Sequence, residues 1–574
     1  MKGERLQGSR GARGGIDRLA AGAAVLAAAA LLWRMASEPL DHGYVRYLGI
    51  ADGMVRSRDW LVPRLLGEPY LVKPPLFLWG VALPIALLGY TPSWAGHFPN
   101  GVALALLLLF GARLAAGVFG RRDAGWLAAL TLATSFEVFQ FVRDKRLDPL
   151  FAAFLLGAFA FQWDAFRSAR GRGRLAPTFA AWGCVALATL VKGPLALGFF
   201  VASVAAFAVW TRRLREWLCR ETALGLALCL AVCAVWPILL LRDVGLAELR
   251  QSFAAHKLIS RFGGPLHYFK DLPVQGLPWS LLFPALAVHL ARERPDRESE
   301  GLRYLLCAFG VCFGLLHLSA GKHSRYLLPA FGPLSLLLLA LLFGPRGEPA
   351  QLGPSAARLR DGGLRVGSLG LAAALLAAPL ALVGLTAASL LDLGSARHFV
   401  VDARLLPLGA LALACAAGAW AGRRRLADPE PRARLAAFGL LALAAFALFD
   451  GLRASELGRE DPRPALEAQL SPLAAGEPAA LLGLRETPRL LLPLLVRRDL
   501  PSFQAPAELL AQARRNGWRE LWVVTDPRGE TTLGGAAGVR LEATSGLGIA
   551  RAKLRLLRLQ LEPGGTPALD TSSP

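Results

Sequence analysis

Residues 67–79 read GEPYLVKPPLFLW: one lysine, Lys73, and two prolines inside a stretch otherwise apolar enough for a membrane. Pro74 and Pro75 fix an extended turn after the lysine. The question is why so apolar a chain keeps a charge there. Hydrophobic residues make up 54% of the 574 positions. They gather in runs of roughly 17 to 25 residues, the length that crosses about 30 Å of hydrocarbon. The fold class that follows is an α-helical polytopic membrane protein. The spacing predicts thirteen spans, near 17–36, 97–118, 124–142, 148–166, 176–191, 193–211, 221–241, 276–292, 302–319, 324–343, 365–391, 404–421 and 433–450.

Charge tests that count. Cytoplasmic loops of membrane proteins collect arginine and lysine. With a cytoplasmic N-terminus the alternate loops contain GRRD, FRSARGRGR, TRRLREWLCRE, ARERPDRESE, GPRGEPAQLGPSAARLR and GRRRLADPEPRAR, all arginine-rich. The net charge of +22 is therefore a topology signal and does not call for nucleic acid. One apolar run, 76–90, is left out of the count. It is short, follows Pro-Pro and contains Pro84, so it reads as an interfacial or re-entrant helix within a large external first loop, 37–96. In the same loop RYLGIADGMVRSRDW reads as an amphipathic surface helix.

The domain plan is then a basic N-terminus, 1–16; a transmembrane core, 17–345; additional transmembrane helices, 346–450; a small external α/β domain, 451–562; and a disordered tail, 563–574. The α/β reading rests on PAELLAQARRNG, a helix ended by Gly517, and on ELWVVTD, a strand after it. The seven cysteines lie in or beside apolar runs without metal-type spacing.

The lysines go against the charge bias. Lys73, Lys145, Lys192, Lys257, Lys270 and Lys322 all fall in external loops. They sit in EPYLVKPP, RDKRLDP, LVKGP, AHKLISRFGGPLHYFK and GKHSRYLLP. One such lysine is explained by snorkelling to the headgroups. Five motifs on one face point to a shared site, cationic and at bilayer level. An anionic lipid headgroup, a phosphate or diphosphate, fits it, since lysine binds phosphate as a point charge and arginine as a fork.

These motifs carry a resemblance. RYLGIADGMVRSRDWLVPRLLGEPYLVKPPLFLW, 46–79, resembles the first external loop of the family-39, C-type-fold glycosyltransferases. That superfamily includes the lipid A aminoarabinose transferases and the protein O-mannosyltransferases. KRLDPLFAAF, LVKGP, GLPWSLLFP and KHSRYLLP resemble later motifs of the aminoarabinose branch, in order, over about 17–345. The resemblance implies transfer of a sugar from a polyprenyl phosphate donor to a lipid or protein acceptor at the outer face of a bacterial inner membrane. Lys73, Arg46, Tyr47, Tyr70, Lys322 and Tyr326 would then contact the donor phosphate. His256, Arg261 and Lys192 are further candidates. Asp148 is the first choice for a carboxylate that positions or deprotonates the acceptor, with an ion pair to Arg143 or Arg146 as its structural alternative. Asp41 is the second choice. Family members carry Asp-Glu before the Arg-Tyr pair, where this chain has Gly43 and Tyr44. Either Asp41 takes the acidic role or that role is absent. A phosphate leaving group needs no general acid, and direct displacement inverts the anomeric centre. No cofactor is expected. A divalent metal is open to His256 alone, because Val72, before Lys73, cannot ligate. Competing readings are an inactive family member and a transporter or flippase of lipid-linked sugars, which would place ionisable groups near mid-membrane and show an internal repeat.

Overall fold

The computed structural model describes residues 42–143, 146–169, 171–247, 264, 266–294, 299–319, 321–344, 348–390, 430–458, 468–496, 498–549 and 552–562, with Val25. They form two compact units. One holds Leu71–Gly80 and His97–Glu456, and the other holds Pro39–Tyr70, Val81–Gly96 and Leu457–Pro574.

The first unit is helical. Among the described residues six helices are long and apolar enough to cross a membrane, and seven if the bent pair His267–Gln275 and Trp279–Glu293 is one span. The expected spans 17–36 and 404–421 lie outside the described residues. The helix Asp148–Arg167 is central, packed against Phe98–Phe119 and Arg172–Lys192. Small residues allow that approach. A Cβ at Gly157 would stand 2.6 Å from the Phe110 ring. Tyr304, fully buried, donates its hydroxyl to the Phe159 carbonyl at 2.8 Å and ties Glu300–Leu318 to the same helix.

Three predicted spans look different in the structure. The run 124–142 is two helices, Arg122–Ala133 and Phe136–Arg143. Thr134 and Ser135 turn their hydroxyls back onto the Leu130 and Leu132 carbonyls. Such side-chain bonds compete with the helix ladder. Phe136 N–H then bonds Leu277 O at 2.8 Å, outside its own helix. The run 276–292 is broken into short turns, and His267–Gln275 meets it at 105°. The run 193–211 gives Leu195–Trp210, shorter than a usual span. The excluded run gives Leu76–Leu88, with Pro84 inside. Its thirteen residues reach about 20 Å, short of the hydrocarbon thickness.

The second unit is α/β. Its five-stranded sheet runs Ser502–Phe503, Ala479–Leu482, Glu520–Thr525, Ala552–Leu561, Val539–Ile549. The first three strands are parallel and the last two antiparallel additions. Strand side chains alternate between faces. Leu481, Val524 and Leu556 accordingly enter one core with the helix Glu486–Val496, while Ala480, Leu482, Val523 and Leu557 enter another with Pro506–Arg515. The predicted helix before Gly517 ends at Arg515, and Gly517 sits at φ +65°. The first-loop helix His42–Ser57 belongs to this unit and packs on Glu486–Val496.

Candidate active site

In the first unit the chain brings two cations, Lys192 and Arg325, to one carboxylate, and their charges act on a third cation, Lys73. Asp148 is the first residue of its helix, followed by Pro149. A negative charge is favourable there, beside the free N–H groups of the first turn. Lys192 is the last residue of Arg172–Lys192, where a positive charge is favourable, and Gly193 turns the chain at φ +97°. The two ends meet. Lys192 Nζ donates to Asp148 Oδ1 at 2.5 Å, and Arg325 Nε lies 3.4 Å from Asp148 Oδ2. Asp148 is 4% exposed. Its partners Lys192 and Arg325 come from distant parts of the chain. The Arg143 side chain, one of the two partners offered by the sequence, lies outside the described residues.

Tyr326 supplies an aromatic wall. Its ring centroid is 4.1 Å from Lys192 Nζ and 5.2 Å from Arg325 Cζ. The Phe151 ring centroid lies 5.4 Å from the same amine. Cation–π contacts of this kind hold an amine in place without neutralising it.

Lys73 joins this group. The charges acting on it are Lys192, Asp148 and Arg325. Its pKa falls below the ordinary lysine value, first through burial and then through Lys192, against the opposing pull of Asp148. A half-buried ammonium beside two other cations is short of negative charge. An incoming phosphate would relieve that.

The remaining candidates sort plainly. Lys322 is buried and donates to the backbone carbonyls of His317, at 2.9 Å, and Ser319, at 2.8 Å, so it closes its own loop. Arg46, Tyr47 and Tyr70 belong to the second unit. There Arg46 forms a two-pronged pair with Glu486, Nε–Oε1 at 2.5 Å and Nη2–Oε2 at 2.8 Å. Tyr70 has its pKa raised, chiefly by burial, and lies beside Tyr47 and Arg46. Asp41, His256 and Arg261 lie outside the described residues.

Two residues escaped the sequence reading. Arg325 stands in the motif GKHSRYLLP, where its residue type gives no signal because arginine is abundant throughout the chain. Glu137 is fully buried, and no described group hydrogen-bonds either of its oxygens. The charges acting on it are Asp271 and Asp148. A buried carboxyl without a partner is a marker worth testing for function. Only its break from the usual surface position of glutamate could have signalled it.

Comparison with known proteins adds to this geometry. Residues 40–248 match the family model described as dolichyl-phosphate-mannose-protein mannosyltransferase. The undecaprenyl phosphate-alpha-4-amino-4-deoxy-L-arabinose arabinosyl transferase of Erwinia tasmaniensis is 28% identical over 306 residues, covering 51% of this chain and 54% of that protein. The transferase 2 of the same description from Sodalis glossinidius is 30% identical over 300 residues, again 51% and 54%. The chain thus spans about half the length of the curated relatives it matches. A crystal structure of ArnT from Cupriavidus metallidurans bound to undecaprenyl phosphate superposes with a TM-score of 0.66 at 19% identity, covering 93% of this chain and 96% of that one. At such identity the likeness speaks for a shared fold.

Proposed function

We propose, from the kinship of this chain with the superfamily of C-type-fold glycosyltransferases that includes the aminoarabinose transferases and the protein mannosyltransferases, that it moves one sugar from a polyprenyl phosphate carrier to an envelope acceptor. The observation that carries the reading is the pairing of Lys192 and Arg325 with the buried Asp148, a group whose charges also act on Lys73. In such a transfer, negative charge builds on the departing carrier phosphate. Preorganised cations stabilise it at no cost of reorganisation. Lys73, the one least compensated by Asp148, is assigned to the phosphate. Tyr326 holds Lys192 beside it.

The role of Asp148 shifts with its geometry. Both its oxygens lie against cations, which makes it a poor base. We assign it to positioning: its charge lets Lys192 and Arg325 stand together. A base is then needed only if the acceptor is a hydroxyl. An acceptor that is itself a lipid phosphate brings an ionised oxygen, and attack by that oxygen on the anomeric carbon, with the C–O bond to the carrier phosphate breaking, inverts that centre.

The same reading places the site and the α/β domain on the external face of the inner membrane, with thirteen spans and a cytoplasmic N-terminus. The aminoarabinose named for the relatives is the first donor to offer. The test is mass spectrometry of envelope lipids and glycoproteins from a deletion strain, complemented with wild type, Lys73→Ala or Asp148→Asn. A mass difference of one sugar that wild type restores and Lys73→Ala does not is expected. Full restoration by Lys73→Ala would overturn the assignment of the phosphate site.

A further inference from the structure

The second unit contains a cavity of about 400 Å³ whose lining shares no residue with the candidate active site. The helix His42–Ser57, the small hairpin 64–69, the helix Glu486–Val496 and the edge strand Ser502–Phe503 all contribute to its lining. Three guanidinium groups line it, Arg56, Arg64 and Arg489, against the single carboxylate of Asp499. They are not equally occupied. Arg56 is held by Asp52 and Asp499, each at 2.7 Å. Arg64 makes one long bond, 3.3 Å, to the Gly67 carbonyl. The Arg489 guanidinium has no partner among the described residues, although its Nε is sealed from solvent. Ser502 Oγ, also lining the cavity, is likewise buried without a partner.

Buried polar groups are nearly always hydrogen-bonded, and each exception asks for an explanation. Here two exceptions belong to residues that line the same cavity, and both can donate. With an excess of two positive charges around them, the missing partner is an anion rich in acceptor oxygens. A guanidinium fork is matched to phosphate. The volume exceeds a bare phosphate and falls in the range of small-molecule sites. Leu490, Leu494 and Leu500 give it apolar walls of the kind on which a sugar ring lies. We infer that this cavity binds a phosphate-bearing saccharide, the phosphate on Arg489, Ser502 and Arg64. Taken with the proposed function, and resting on it only for this step, the ligand is the headgroup of an acceptor glycolipid that carries a second phosphate besides the one that attacks the sugar.

The experiment is equilibrium binding to the full chain in detergent, with glucosamine 1-phosphate, inorganic phosphate and methyl glucoside as probes and dioleoyl phosphatidic acid as a micellar competitor. Glucosamine 1-phosphate should bind, at least tenfold more tightly than inorganic phosphate, and methyl glucoside should not. Arg489→Gln should weaken it at least tenfold and Ser502→Ala severalfold. Lys73→Ala, which leaves this unit untouched, should bind as wild type does. Arg489→Gln removes a guanidinium without partners, so its melting temperature should not fall, and a loss of binding then reports the site. Equal binding by wild type and Arg489→Gln would overturn the inference. So would loss of binding in Lys73→Ala, which would put the ligand in the other unit. Inorganic phosphate binding as tightly as the sugar phosphate would remove the saccharide, and full competition by phosphatidic acid would make this a bilayer-lipid site. Turnover by Lys73→Ala tests the transfer reaction alone, so the two readings fail separately.

Discussion

Lys192→Met removes the ammonium 2.5 Å from Asp148 while keeping most of the stem that packs on Phe151 and Tyr326. At about 3 Å and an effective dielectric near 20, two unit charges attract by roughly 5 to 6 kcal/mol. Desolvation of the two ions takes back several kcal/mol each, so the intact pair is worth little in net stability. Losing one partner is a different matter, because the other charge stays buried, and that costs about 3–5 kcal/mol. The side chains are only 12% and 6% exposed, so water offers little relief. Arg325 remains at 3.4 Å from Asp148, which puts Lys192→Met near the low end, about 3 kcal/mol. Asp148→Asn is expected to cost a similar amount, because it leaves Lys73, Lys192 and Arg325 without their shared counter-charge. The double variant removes both charges. It should lose less than the sum of the singles, by about 2–3 kcal/mol, as contacting residues do. The assay is thermal melting of the four full-length proteins in one detergent at one scan rate. Irreversible unfolding makes the pattern of losses the readout and not an absolute free energy. Both singles should melt below wild type, and the double should lose clearly less than the two losses added. Strict additivity would mean that the pair is not coupled and would refute the reasoning.

The Lys73 ammonium gives a pH test with opposite signs. Burial and Lys192 hold its pKa below the ordinary 10.5. On the proposed function, transfer should decline as pH rises through that lowered value. Stability should rise with pH between that value and 10.5, because there the unfolded chain holds more protons than the folded one. Lys192→Met should move the decline to higher pH and Asp148→Asn to lower pH, and a pH–rate profile of each checks the order. Arg46 and Glu486 are 47% and 38% exposed, so Arg46→Ala should cost about 1 kcal/mol or less in melting studies. The charge swap Arg46→Glu with Glu486→Arg should recover melting but not transfer if Arg46 also meets the donor. Gly157→Ala forces a methyl group against the Phe110 ring and should destabilise by about 1–3 kcal/mol, read as a lowered melting temperature.

How far the sequence was legible depended on the range of the interaction. Apolar runs mark helices because a span is a local property, and the helix starts at Asp148 and ends at Lys192 are visible as Asp-Pro and Lys-Gly. The break at Thr134–Ser135 was hidden, since hydroxyl bonds to the preceding turn become decisive only when Leu277 arrives to take the Phe136 N–H. Lysines stood out because they are scarce, which led to Lys73 and Lys192. The same contrast concealed Arg325 among many arginines. Arg46 shows the limit most clearly: its partner Glu486 lies 440 residues away, and no local pattern announces that a first-loop arginine is held by the C-terminal domain.

The substitution of Gly43 and Tyr44 for an acidic pair takes on a different weight once Asp148 is seen between Lys192 and Arg325. A site that deprotonates a hydroxyl needs a free carboxylate within reach of it. Asp148 is not free, since each of its oxygens faces a cation. A site that transfers to an already ionised phosphate needs instead to hold two anions close together, the departing carrier phosphate and the incoming acceptor. Their mutual repulsion is met by positive charge. On the proposed function, Lys73, Lys192 and Arg325 supply it, and Asp148 keeps Lys192 and Arg325 together before the anions arrive. On the proposed function, the chain's arrangement is therefore better matched to a phosphate acceptor than to a protein hydroxyl. Offered both with the same donor, it should glycosylate the phosphorylated lipid and leave a serine- or threonine-containing peptide unmodified. Preferential transfer to the peptide would show that a carboxylate does act as base and would return Asp41 to the centre of the mechanism.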